Sequence, residues 1–177
     1  MDPLAGRAVV LRQATLEDAP AFRAMLQCEE VARWWENGWP DVERDLASSD
    51  DQHLAIMVHG EVAGMIQWWE VNSPICRYAG IDMFLHPGHH RQGHGTDALR
   101  TLINWLLGPG GHHRVTIDPA TDNTAAIACY EKLGFRRVGV LRQYWQDSTG
   151  RWRDSLLLDL LADDLASGDQ PREALSS

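Results

Sequence analysis

Long apolar runs are missing from this 177-residue chain. No stretch is apolar enough and long enough to cross a bilayer, so a membrane partner is not expected. The first residues, Met1 to Gly6, lack the basic start and apolar core of a secretory leader. Cysteine is scarce: there are three, Cys28, Cys76 and Cys129, far apart and odd in number. That argues against a disulfide framework and fits reduced thiols in a cytoplasm. Positive charge is the minority sign, with 16 Lys and Arg against 25 Asp and Glu, for a net charge of -9. No basic stripe is evident, which argues against nucleic acid as a partner. A zinc pattern is also lacking. His86, His89, His90 and His94 cluster and His112-His113 form a pair, but the spacing is wrong for zinc and no cysteine lies nearby, so no metal is expected. No internal repeat is visible.

What is present suits one domain. The chain is 44% hydrophobic, enough for a sizeable core at this length. The domain is expected over residues 1–166, with 167–177 a loose tail of small and polar residues. Val9 to Gln13 reads as a first strand. Thr15 and Asp18 cap a helix running to about Gln27, with Pro20 tolerated in its first turns. A second helical stretch ends near Arg33-Trp34-Trp35-Glu36, and Asn37-Gly38-Trp39-Pro40 reads as a loop. Leu54 to Val58 and Val62 to Trp69 form a hairpin around His59-Gly60-Glu61. A strand ending at His86, a helix, a strand ending at Asp118 and another helix follow. Val138 to Trp145 and Trp152 to Leu160 close the chain as a hairpin. The elements predict an α/β (α+β) architecture: a central mixed sheet of about seven strands with helices on both faces.

The most telling stretch runs from Ile81 through Asp82, Phe84, Leu85 and Pro87 to His90-Arg91-Gln92-Gly93-His94-Gly95-Thr96. A strand enters a Gly-rich turn and then a helix whose apolar residues, Ala98, Leu99, Leu102, Ile103, Leu106 and Leu107, share one face. The first turn of a helix has free N–H groups and the positive end of the dipole. Gly93 and Gly95 let an anion come close to them. A nucleoside triphosphate loop is excluded, because Thr96-Asp97 stands where Lys-Ser/Thr is needed. A dinucleotide fingerprint fits Gly93-x-Gly95-x-x-Ala98, with Asp118 as the ribose acid, but it would open a doubly wound domain rather than sit in mid-chain.

The same residues resemble motif A of the GNAT acyltransferase superfamily, with His90 where an Arg or Gln is usual. Asn123-Thr124-Ala125-Ala126-Ile127-Ala128-Cys129-Tyr130-Glu131-Lys132-Leu133-Gly134-Phe135 resembles its motif B. The chain is also similar to aminoglycoside 6′-N-acetyltransferases at Arg33-Trp34-Trp35, Gly80-Ile81-Asp82, Thr116-Ile117-Asp118-Pro119 and Ala126 to Lys132. The resemblance implies a GNAT fold whose sheet is mostly antiparallel. It also implies acetyl-CoA as cosubstrate, held by Phe84, Leu85, His90, Arg91, Gln92, Gly93, His94, Gly95 and Thr96, with Asn123 and Ala126 on the pantetheine arm. It implies transfer to a primary amine of a small polycationic substrate in a ternary complex, by a monomer or homodimer.

Roles follow on the same footing. Strand alternation puts Asp82 and Phe84 on one face and Met83 and Leu85 on the other. An Asp in an otherwise apolar strand is costly without a task or a partner. By resemblance Asp82 deprotonates the acceptor amine and Tyr130 protonates the leaving thiolate, while the N–H near Leu85 meets the oxyanion. Asp118 either holds a second ammonium group or caps the following helix. Trp34, Trp35, Trp39, Trp68 and Trp69 offer flat faces for a sugar, although only one of Trp68 and Trp69 can face the cleft. Asp147 either adds a carboxylate to the acceptor site or, as the favoured account, is a plain turn residue. Two other functions compete: acetylation of a protein N-terminus or another small amine, and a non-catalytic acyl-CoA sensor.

Overall fold

The structure is a computed structural model and describes residues 1–35, 39, 41–48, 52–73 and 75–167. Its strands are β1 (Leu4–Ala5), β2 (Val10–Gln13), β3 (Gln52–Val58), β4 (Glu61–Ser73), β5 (Cys76–Leu85), β6 (Arg114–Ile117), β7 (Arg136–Gln146) and β8 (Trp152–Leu161). Its α-helices are α1 (Ala19–Leu26), α2 (Glu29–Trp35), α3 (Val42–Ala47), α4 (His94–Leu107), α5 (Thr124–Lys132) and α6 (Ala162–Ser167). The sheet has eight strands in the order β1-β2-β3-β4-β5-β6-β8-β7. That is one more strand than expected, because the two residues of β1 add an edge pair beside β2. The helices α3 and α6 are also additions. At six residues each, they are too short to show an apolar period.

Local rules explain the frame. Thr15 donates its N–H to the Asp18 carboxylate at 2.8 Å, and Arg12 pairs with the same carboxylate at 2.7 Å. That start holds α1 against β2. His59 and Gly60 lie at φ 51° and 87°, between Val58 and Glu61, which pair with one another. Two left-handed residues make the turn whose twist matches a hairpin. β4 continues past the strand end expected at Trp69, and its ladder with β5 reaches the pair Ser73 and Cys76. Of the loop expected at residues 37–40, only Trp39 is described. The expected tail lies outside the described residues, apart from Ser167 at the end of α6.

The sheet is packed on both faces. On one, Ala98, Leu99, Leu102, Ile103 and Leu106 of α4 join Ile127 of α5 over Ile81, Leu85 and Val115. On the other, Phe22, Met25, Val31, Trp39 and Val42 cover Ala55, Met65 and Phe84. Most neighbouring strands are antiparallel. The exception is β5–β6, which is parallel and pairs only at Ala79–Val115 and Gly80–Thr116. Beyond Gly80 the two strands have no shared ladder. The sheet therefore opens there, and α4 and α5 start from the two ends.

Candidate active site

Asp82 and Asp118 lie on the two sides of this opening. Both line one cavity of about 1300 Å³, with Tyr130 of α5 and with Trp34 and Trp35 of α2. The same cavity reaches Gly93, Gly95 and Thr96 at the start of α4 and Asn123 at the start of α5. Two helix N-termini and two carboxylates thus meet where the sheet divides.

Along β5, the His86 N–H bonds Ala63 of β4, so the even-numbered residues turn their backbone groups toward β4. Odd-numbered residues face the opening. The Met83 N–H duly donates to the Asp82 carboxylate at 2.8 Å. Leu85 is on the same edge, and its carbonyl is 3.0 Å from Nε2 of His90. A carbonyl can only accept, so Nε2 carries the proton. His90 thus turns back onto the strand rather than into the anion cradle.

The cradle has a specific shape. Arg91 and Gly93 both have left-handed backbones, at φ 58° and 86°, the kind of turn that builds anion-binding nests from N–H groups. A Cβ on Gly93 would meet nothing within 4 Å, so its face stays open to a ligand. Gly95 differs: its Cβ would stand 3.0 Å from Leu85 Cδ1. Its bareness serves the packing of α4 beneath β5 as well as anion approach. His94 is buried, 5.4 Å from His89 between ring centroids. Gln92 folds its amide onto the Gly88 carbonyl at 2.6 Å. Neither His94 nor Gln92 lines the cavity, whereas His89, His90 and Arg91 do.

Burial sets the charge state. It pushes Asp82 up to about 7, with the negative charge of Asp118 adding to the rise and the Met83 N–H opposing it. It pushes Asp118 up to about 6. The Tyr130 phenol is raised above its ordinary value by burial and then by Asp82, so it stays protonated at neutral pH. Asp118 is not the cap of α5. That position is held by Asn123, whose side-chain oxygen accepts the Ala126 N–H at 3.2 Å. The Asn123 amide NH₂ remains available to donate. Ala126 lies one turn on and also lines the cavity.

Other expected residues lie elsewhere. Asp147 accepts the N–H groups of Thr149 and Arg151 at 3.0 and 3.1 Å and the Thr149 hydroxyl at 2.6 Å. Its Oδ1 is spent on the turn, its Oδ2 lies 3.8 Å from the Arg153 guanidinium, and the residue does not line the cavity. Trp39 is core, stacked on His53 with ring centroids 5.2 Å apart. Trp68 packs on Trp105 and His112. Trp69 is on the Asp82 face but covers Gly80, where a Cβ would come 2.3 Å from its ring. Of the tryptophans expected at the site, Trp34 and Trp35 line the cavity, and Trp145 of β7 lines it as well. Arg33 lies over the Trp34 ring at 4.6 Å, and Trp35 meets Phe84 edge-on.

Tyr144 of β7 also lines the cavity, and simple alternation offered no signal for it. A β-bulge, invisible to a period of two, puts it there. Among the described residues no group of three or more His, Cys, Asp or Glu could hold a metal ion, and no helix is long and apolar enough to cross a membrane.

Comparison with known proteins agrees with this geometry. The family model for the acetyltransferase (GNAT) family matches residues 18–135, well over half of the chain. The aminoglycoside N(6′)-acetyltransferase type 1 of Klebsiella pneumoniae is 29% identical over 157 residues, covering 75% of this chain and 76% of that protein. The N-alpha-acetyltransferase RimI of Mycobacterium tuberculosis is 29% identical over 113 residues, covering 62% and 69%. The structure of Mycobacterium smegmatis RimJ in complex with CoA-disulfide superposes with a TM-score of 0.75 at 23% identity, covering 93% of this chain and 92% of that one.

Proposed function

The chain belongs to the GNAT acetyltransferase family, and on that premise we propose that it moves the acetyl group of acetyl-CoA to a primary amine of an aminoglycoside, at the 6′ position, within a ternary complex. Such transfer would remove a cation from the drug and confer resistance. The observation that carries the reading is the pair Asp82 and Asp118. Two carboxylates held partly protonated across one aromatic-walled cavity are poorly satisfied without a cation. A substrate with several ammonium groups supplies more than one.

Each residue has a defined task. The open N–H groups at Gly93 and the start of α4 take the pyrophosphate of the cosubstrate. Arg91 adds a cation beside them, and the Asn123 amide donates to the pantetheine arm. Bound there, acetyl-CoA supplies the activated acyl group. Asp82 accepts a proton from the acceptor ammonium, so that its nitrogen lone pair can attack the thioester carbon. The Leu85 N–H, on the edge that β6 has left, donates to the oxygen on which charge develops. The C–S bond then breaks, the Tyr130 hydroxyl gives its proton to the departing sulfur, and the phenolate recovers a proton from the new amide nitrogen, which carries one in excess. Asp118, Trp34 and Trp35 hold the remainder of the acceptor. The three free cysteines accord with a reducing, cytoplasmic setting.

The relationship to RimI favours a second acceptor, a protein N-terminus. Thiol release from acetyl-CoA, followed with kanamycin, tobramycin and N-terminal peptides, separates the two. Drug-dependent release with product mass increased by one acetyl group is expected. Peptide acetylation with none on either drug overturns the aminoglycoside assignment. In the same assay, Tyr130→Phe should cut turnover by about 10²–10⁴-fold with both KM values near the parent's. A change within about twofold at saturation would remove Tyr130 as the proton donor.

A further inference from the structure

β7 breaks register twice against β8, between Arg137 and Gly139 and, more widely, between Leu141 and Trp145. Leu141 pairs with Ser155 and Trp145 with Arg153, so Arg142, Gln143 and Tyr144 stand opposite Asp154 alone. Gln143 takes φ 51°, a left-handed backbone that a residue with a Cβ adopts at a cost. Its N–H, drawn out of the ladder, donates to the Asp154 carboxylate at 2.8 Å. The same Asp154 accepts the Thr121 N–H through its carbonyl at 3.1 Å, and Leu156 donates to the Pro119 carbonyl at 2.8 Å. One stretch of β8 therefore holds the bulge on one side and the segment that follows Asp118 on the other. Tyr144 is 53% exposed, yet it lines the cavity. The charge of Asp118 is the largest influence on its phenol and raises its pKa, so the ring is neutral.

We propose that Tyr144, pushed out of β7 by the bulge that Asp154 holds, is a specificity-determining residue for the acceptor, presenting its ring to an ammonium-bearing sugar beside Asp118. The inference rests on the acceptor assignment above and adds a residue to it. A neutral aromatic face beside a carboxylate binds a cation by quadrupole and by charge together. The apolar face of a saturated ring also packs on it. Tyr144 takes no part in proton transfer, so its loss acts on binding rather than on chemistry. Asp154 is a positioning residue that acts through the bulge.

Calorimetric titration of tobramycin into the CoA-loaded enzyme tests this, alongside steady-state kinetics. Tyr144→Ala should weaken tobramycin binding and raise its KM by about tenfold, with kcat and the acetyl-CoA KM kept within about twofold. Tyr144→Phe should restore most of the loss, because the ring is what binds. Tyr144→Leu keeps bulk without a quadrupole and should behave as Ala, which covers the case of a poorly folded Ala variant. Asp154→Ala should reproduce the KM effect and Asp154→Asn should rescue it, since an amide oxygen still accepts the Gln143 N–H. Tyr144→Ala combined with Asp154→Ala should add little to either alone. Equal tobramycin affinity in parent and Tyr144→Ala overturns the role of Tyr144 and leaves the acceptor assignment standing. A parent that binds no tobramycin overturns both. A Tyr144→Ala variant that loses kcat with KM unchanged also overturns the inference.

Discussion

As the proposed base, Asp82 must meet two demands that conflict in water. A base that takes a proton from an ammonium group must be ionised, and yet must bind protons well enough to compete. Burial resolves this by raising the carboxyl to about 7, with Asp118 adding to the effect. The direction fixes the pH dependence. The active form is the deprotonated one, so kcat/KM rises as pH rises through about 7. Tyr130 stays protonated over the same range and contributes no falling limb. Asp82→Asn keeps the shape and removes the base. It should lower kcat by about 10²–10⁴-fold and abolish the limb near 7, with acetyl-CoA affinity retained. A pH profile of the variant that keeps the same limb would reassign it to another group.

At the scale of elements, two helix starts and one strand pair matter most. Asn123 caps α5 through its oxygen and, in the proposed reaction, donates its NH₂ to the pantetheine arm. Asn123→Asp preserves the cap and deletes the donor. It should raise the acetyl-CoA KM by about tenfold, the loss of one buried hydrogen bond, with the thermal midpoint near the parent's. Asn123→Ala should lose both, and about 1 kcal/mol of stability with the cap. Close packing stands just before the point where β5 and β6 diverge. Trp69 sits on bare Gly80, the last β5 residue paired with β6. Gly80→Ala forces that ring aside and should destabilise by about 1–3 kcal/mol in urea unfolding. An unchanged midpoint would show that Trp69 moves freely.

Across the whole molecule, the net charge of -9 favours a polycation before any contact is made. Attraction at range is screened, with a Debye length of about 10 Å at 0.1 M salt and 3 Å at 1 M. The drug's KM should therefore rise severalfold between about 0.05 and 0.5 M salt, with kcat nearly constant. A singly charged amine should respond less. Equal salt response for the two acceptors would show that long-range attraction contributes nothing. The two-sided core has a complementary part, keeping the helices that carry Trp35 and Tyr130 on opposite faces of one rigid sheet.

The Gly-rich turn into α4 was legible in the sequence because glycines, a strand end and an amphipathic helix are local. So were the capped start of α1, the turn at His59-Gly60 and the facing of Asp82, each fixed by neighbours within a few residues. The family was legible as a resemblance to known motifs at residues 90–95 and 123–135. What the sequence could not decide were matters of pairing between distant segments. The end of the β5–β6 ladder at Gly80, the bulge that exposes Tyr144, the turn of His90 onto Leu85 and the burial that raises Asp82 all depend on segments far apart in the chain. Asp147 shows the same limit from the other side. Its residue type permitted a place in the acceptor site, but its Oδ1 takes three contacts within its own turn and its Oδ2 pairs with Arg153. Local chemistry is written into local order, whereas a site shared by β5, α5 and β7 exists only once the sheet has set their register and opened between two of its strands.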